Sequence, residues 1–142
     1  MPTAACRHRN YAIYSRTRLP ISEVVFYQEV DGHSPVVEWL RELSTLDAAA
    51  YAKCAAVIER LAAEGHALGR PTADHLRDGI HELRARKGRV NYRILYFFHG
   101  RNVAILAHGI TKEAEVSKIE IERALRRKKA FEADPEHHTY SQ

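Results

Sequence analysis

The stretch LRARKGRVNYRILYFF, residues 83–98, carries Arg84, Arg86, Lys87, Arg89 and Arg93 with no acid among them, then turns apolar. Arginine keeps its proton at any ordinary pH and offers a planar fork of donors. Cations at this spacing therefore suit the binding of an anion such as phosphate rather than proton transfer. A second basic block, RALRRKK (Arg123 to Lys129), adds Arg126 and Arg127. His81, His99 and His108 are the histidines near these blocks that could titrate close to neutrality. His137 and His138 are adjacent in the terminal segment, and that adjacency does not make a metal site. Cys6 and Cys54 have neither metal-ligand spacing nor the density of a disulfide scaffold.

Alternation sorts the basic stretch into two faces. Leu83, Ala85, Val90, Tyr92, Ile94, Tyr96 and Phe98 form a core surface, and His81 shares it. Glu82, Arg84, Arg86, Arg89, Asn91 and Arg93 fall on the opposite side, ending in Leu95 and Phe97. With Lys87-Gly88 as a two-residue turn, Arg86 would face Arg89, Arg84 would face Asn91, and Glu82 would face Arg93. A slip of one residue would drive the arginines into the core, so the apolar face should hold the register. A Glu82–Arg93 ion pair could fix the aim of the guanidinium.

The elements that must position these residues follow from local signals. Val24 to Val30 is rich in β-branched and aromatic residues and ends at Asp31-Gly32, as a first strand does. Ser34 with Pro35 starts a helix whose apolar face holds Val36, Val37, Trp39, Leu40 and Leu43. Asp47 caps a second helix, with Cys54, Val57, Ile58 and Leu61 on its stripe, which Gly65 stops. Cys54 on that stripe is expected to be a buried, inert thiol. Residues 66–79 read as a loop with an Asp78-Gly79 turn. Ile80 to Ala85, Val90 to Phe98 and Asn102 to Gly109 predict a three-stranded antiparallel meander. Ser117 and Glu120 match a capping box that opens a last helix, Lys118 to about Phe131.

At 142 residues and a net charge of +4, with pI near 9.2, the chain fits one domain and favours a polyanionic partner only weakly. Residues 1–20 are expected to be a flexible basic extension, 21–135 the folded domain and 136–142 a disordered tail. No apolar run resembles a signal peptide or a spanning helix, so a cytoplasmic protein without a membrane role is expected.

Taken in order with their spacing, IHELR, YRILYFF, HGITK and EIERAL resemble the phage-derived Gp49-like branch of the RelE/HigB toxins of type II toxin–antitoxin systems. The resemblance implies an α+β, RelE-like fold of strand, helix, helix, three-stranded meander and helix, a small twisted antiparallel sheet with its helices mainly on one face. It implies a basic concave face for RNA on the other. It also implies a metal-independent, ribosome-dependent mRNA endonuclease that inhibits translation and uses no cofactor. The expected partners are the ribosome, mRNA and a cognate antitoxin, a helix-turn-helix protein encoded next door. By position, Arg84 matches the arginine of the family's ELR, Arg93 that of YR, and Lys112 the first lysine after HGF. The chain departs from the family pattern at Ile110, where an aromatic is usual, at Glu113 in place of a second lysine, and at Ser117 in place of a proline.

Cleavage of this kind needs the 2′-OH deprotonated, the phosphorane charge stabilised and the 5′-oxygen protonated. Arg84 and Arg93 suit phosphate binding and transition-state stabilisation, while Lys112 and His108 are the candidates for proton transfer. Arg86, Lys87, Arg89, Asn91, Arg126 and Arg127 are the expected nucleic-acid contacts. Two other readings stay open. One is a ParE-like gyrase inhibitor on the same fold, which needs no proton-transfer group. The other is an inactive relic that binds RNA or antitoxin, a reading that Glu113 supports.

Overall fold

The computed structural model describes residues 21–112 and 115–141. Ser34 and Asp47 start the first two helices as expected: their side chains accept from the Val37 and Ala50 amides, opening α1 (Pro35–Leu46) and α2 (Ala48–Glu64). Ser117 does the same for α3 (Lys118–Ala133), accepting from the Glu120 amide. The strands are β1 (Glu23–Phe26), β2 (Ala73–Arg77), β3 (Ile80–Lys87), β4 (Val90–His99) and β5 (Val103–Lys112). They form one open sheet in the order β1-β5-β4-β3-β2, with β1 parallel to β5 and the remaining pairs antiparallel. The expected α+β class and the meander of β3, β4 and β5 are present. No helix among the described residues is long and apolar enough to cross a membrane.

Several sequence expectations change. The stretch read as a loop contains β2, a polar strand on the sheet edge that alternation of apolar residues could not reveal. Asp78 and Gly79 do make its turn, both with positive φ (52° and 83°), and lead directly into β3. The β3–β4 turn is Gly88-Arg89 rather than Lys87-Gly88, because Gly88 takes the left-handed conformation (φ 61°) at its first position. Lys87 therefore pairs with Val90, Arg86 with Asn91, Arg84 with Arg93 and Glu82 with Leu95. Parity is unchanged, so both faces hold the residues expected of them. Finally, the segment after α3, expected to be disordered, is hydrogen-bonded to β1 over its described residues. The Tyr140 amide donates to the Phe26 carbonyl, the Gln28 amide to the His138 carbonyl, and His138 stacks on Tyr27.

The helices split between the two faces. Against α1 and α2 lie Leu83, Ala85, Tyr92, Ile94, Tyr96, Ala104 and Leu106. On that face β5 needs a residue without a side chain, since a Cβ at Gly109 would stand 2.2 Å from Cδ2 of Trp39. The Trp39 indole lies in that space and donates to Thr111 Oγ1 at 3.1 Å. The other face was expected to be the basic one, with the helices mainly on the first. Instead α3 covers one end of it, burying Ala124 and Phe131 against Ile80, Leu95, Phe97, Ile105 and Ala107. Arg84, Arg86 and Arg93 lie beyond that apolar cluster.

Candidate functional site

On the uncovered end of the α3 face, one acid organises two arginines. Arg84 and Arg93 are direct cross-strand partners, an arrangement in which like charges repel. Glu82, two residues before Arg84 on the same side of β3, resolves the conflict. Its Oε2 accepts from Arg84 Nη2 at 2.7 Å and its Oε1 from Arg93 Nη1 at 2.5 Å. The carboxylate is 3% exposed, Arg93 12% and Arg84 36%, so the acid forms the floor and the guanidiniums the rim. The expected Glu82–Arg93 pair is present, but on a diagonal rather than across the ladder.

Further groups tune the rim. Asp74 on β2 reaches Arg84 at 3.3 Å and is itself held by Arg70, so the cluster reads Arg70–Asp74–Arg84–Glu82–Arg93. The hydrogen bond that Arg84 donates to Glu82 holds the Arg84 pKa above even its ordinary value, against the opposing effect of burial. Asp74 is held below the usual carboxylate range, chiefly by the hydrogen bond from Arg70. Sequence reading missed Asp74 because the strand that carries it was missed.

The remaining candidates divide. Arg86 is exposed and donates to the Gly88 carbonyl at 2.9 Å; Arg89 is exposed in the turn, and Asn91 is the register partner of both Arg86 and Lys112. Lys112 therefore lies two residues along β5 from Ile110, the partner of Arg93. Glu113 lies outside the described residues, as does the expected basic extension. Lys87 faces the other way: its ammonium lies 2.6 Å from Asp47, on the side of α1 and α2. That contact, more than any other, holds Asp47 below its usual pKa. Arg126 is exposed on α3.

Arg127 and His108 were expected at an RNA surface; the structure buries His108 and engages Arg127, as little exposed as Arg93, in contacts between α3 and the sheet. Arg127 Nη1 donates to His108 Nδ1 at 2.7 Å, and Arg127 Nε pairs with Glu29 at 3.3 Å. A guanidinium can only donate, so Nδ1 must accept and Nε2 carries the proton, donated to Glu120 Oε1 at 3.2 Å. Burial, reinforced by the charge of Arg127, lowers the His108 pKa to about 4 despite Glu120. The expectation that His108 titrates near neutrality thus fails, because its ring is sealed between β5 and α3. Glu120 accordingly spends its carboxylate on His108 and Arg123 as well as contributing to the helix start. His81 is lowered to about 4, mainly by burial among aromatic rings, and His99 lies against Phe131 at the end of β4. Cys54 is the expected buried thiol, pushed up to about 11 by burial.

Residues 41–129, well over half of the chain, match the family model described as phage derived protein Gp49-like (DUF891). The chain belongs to this family. The matched segment runs from within α1 through β5 into α3 and so contains both arginines, Glu82, Asp74, His108 and Lys112. The Gp49-like family is one of RelE/HigB-type toxins, which implies an antitoxin as partner. The five-stranded open sheet with three helices fits a RelE-like fold in broad outline. No curated protein matches the chain.

Proposed function

We propose that this Gp49-like protein is the toxin of a type II toxin–antitoxin module and acts as a metal-independent, ribosome-dependent mRNA endonuclease. The observation that carries this reading is the pair of guanidiniums held by Glu82 on the open end of the sheet face. Two fixed forks of donors suit a phosphodiester whose charge grows as the 2′-oxygen attacks. In that step the O2′–P bond forms and the P–O5′ bond breaks, leaving a 2′,3′-cyclic phosphate and a 5′-hydroxyl. Arg84 and Arg93 stabilise the phosphorane. Lys112 is the proton-transfer group of this proposal: as the neutral amine it takes the 2′-OH proton, and the ammonium so formed gives a proton to the departing 5′-oxygen. Exposed Arg86, Arg89 and Arg126 steer the RNA backbone. His108 takes no direct part in the chemistry.

The sealing of His108 also favours a second reading, ParE-like inhibition of gyrase by binding alone, because it removes one expected proton-transfer group from the site. Expression without antitoxin separates the two. Messages cut at ribosome-positioned codons, with 2′,3′-cyclic phosphate ends, support the nuclease. DNA breaks and filamentation with intact messages replace it with gyrase inhibition, and no growth effect leaves a binding relic.

A further inference from the structure

Glu82 is the least exposed charged group of the open cluster, yet it is no candidate for touching RNA: its two oxygens are each taken by a guanidinium. What it does to those guanidiniums is specific. Without it, two arginines directly opposed across the β3–β4 ladder would repel and separate into different rotamers in solvent. With it, one positive charge is cancelled and one is left, which equals the charge of a single phosphodiester. Each arginine spends one Nη on the carboxylate, Nη2 for Arg84 and Nη1 for Arg93. The other Nη of each has no partner among the described residues. Both Nε–H groups are also shielded without an acceptor there. Unmet buried donors on both arginines are destabilising, and a hydrophobic pair would hold the hairpin without that penalty.

We propose that Glu82 is a positioning residue that fixes the spacing and aim of Arg84 and Arg93 toward one internal phosphodiester of single-stranded RNA, resting on the reading of this site as a phosphate-binding nuclease centre. Asp74 has a lesser part, since it touches only Arg84 and is already neutralised by Arg70. A carboxylate that merely stabilised the fold would, when neutralised, lower binding and cleavage together, in proportion to the protein unfolded. A positioning carboxylate separates the two. Removing a negative charge beside the RNA keeps or raises affinity, while freeing the arginines lowers the rate of the chemical step.

The test uses the full-length chain as wild type, Glu82→Gln and Asp74→Asn. Affinity is read with a single-stranded RNA carrying a 2′-deoxy sugar at the cleavage position, and single-turnover cleavage is read on programmed ribosomes. For Glu82→Gln we expect affinity within threefold of wild type or tighter, and a cleavage rate down by roughly 10- to 100-fold. Asp74→Asn should lose less than threefold. Unchanged cleavage by folded Glu82→Gln, or equal losses in binding and cleavage, overturns the proposal. If wild type does not cleave, the nuclease reading fails, and the arginine Nε–H resonances still decide the role of Glu82. Two dispersed signals that shift with the deoxy-substituted RNA, and merge with those of exposed arginines in Glu82→Gln, support it; signals indifferent to the substitution overturn it. Glu82→Asp, which keeps the charge but shortens the reach, is read in the same way should the glutamine variant not fold.

Discussion

Two clusters of alternating charge share one face of the sheet. In one, Glu82 on β3 joins Arg84 and Arg93; in the other, Glu29, Arg127, His108, Glu120 and Arg123 form a chain from the β1 side to the start of α3. The ingredients are nearly the same, and the helix overhead makes the difference. Under α3 the central groups satisfy one another and the histidine is driven neutral, so the cluster works as a joint between helix and strand. Beyond α3 the acid lies below and the cations above, with donor atoms still unspent. Charge alone therefore does not mark a site on this molecule; the order of burial within the cluster does.

Arg93 offers the strongest way to break this contrast. Arg93→Ala should lower cleavage at least 100-fold, as loss of a donor at a developing anion does. It should also destabilise the fold by roughly 1–3 kcal/mol, because Glu82 is left buried with one partner. Arg93→Lys, which keeps the charge but not the fork, should recover most of the stability and little of the rate, as read by denaturant titration alongside single-turnover cleavage. Substantial cleavage by the alanine variant would show that the open cluster is another joint.

His108→Ala should do the reverse. Removing the ring strands Arg127 and Glu120, for a stability loss of about 2–4 kcal/mol. The cleavage rate per folded molecule should change by less than threefold. A far larger loss of rate in folded protein would return His108 to the chemistry.

Acid should loosen the buried joint. His108 and His81 have an ordinary pKa of 6.5 when unfolded and about 4 when folded, so between those values the unfolded chain binds more protons. Their contribution to stability is present in full above pH 6.5 and is lost as pH falls toward 4. Thermal melts across that range should show a steep fall in Tm. His81→Phe, which suits the stack on Tyr96 and Phe98, should remove part of the slope and leave the share due to His108.

The smallest effect belongs to a cation on the opposite side. Lys87→Ala removes a surface pair with Asp47 and should leave the melting temperature nearly unchanged. RNA affinity should not change. A clear loss of affinity at low salt would mean that both sides of the β3–β4 hairpin engage nucleic acid.

Much of this was legible in the sequence wherever a local rule and burial agreed. The caps at Ser34, Asp47 and Ser117 and the two faces of β3 and β4 each rest on side-chain types a few residues apart. The exact hairpin pairing did not, because Lys87-Gly88 and Gly88-Arg89 both give a two-residue turn with the same parity, and only the backbone at Gly88 chooses between them. β2 was hidden by being polar and at the edge. Arg127 was misjudged because a basic run on a helix shows its charge but not its azimuth, and this one turns inward beside exposed Arg126. The status of His108 depends on Arg127 and Glu120, which are distant from it in the chain, and no spacing rule joins the three.

One irregularity in β5 carries more than its size suggests. Leu95 pairs with His108 while Tyr96 pairs with Leu106, so Ala107 is an extra residue in the ladder. Strict alternation from Leu106 would point His108 toward α1 and α2 and Gly109 toward α3. The extra residue reverses the sense of everything after it, bringing His108 to its two partners and Gly109 beneath Trp39. Deleting Ala107 would close the ladder into regular alternation and leave His108 and Gly109 on their present sides. Straightening the strand with Ala107 retained would instead drive an imidazole against the indole and rotate the strand leading to Lys112 by half a turn. The bulge, placed at a single small residue, thus reconciles this strand with both of its helical layers.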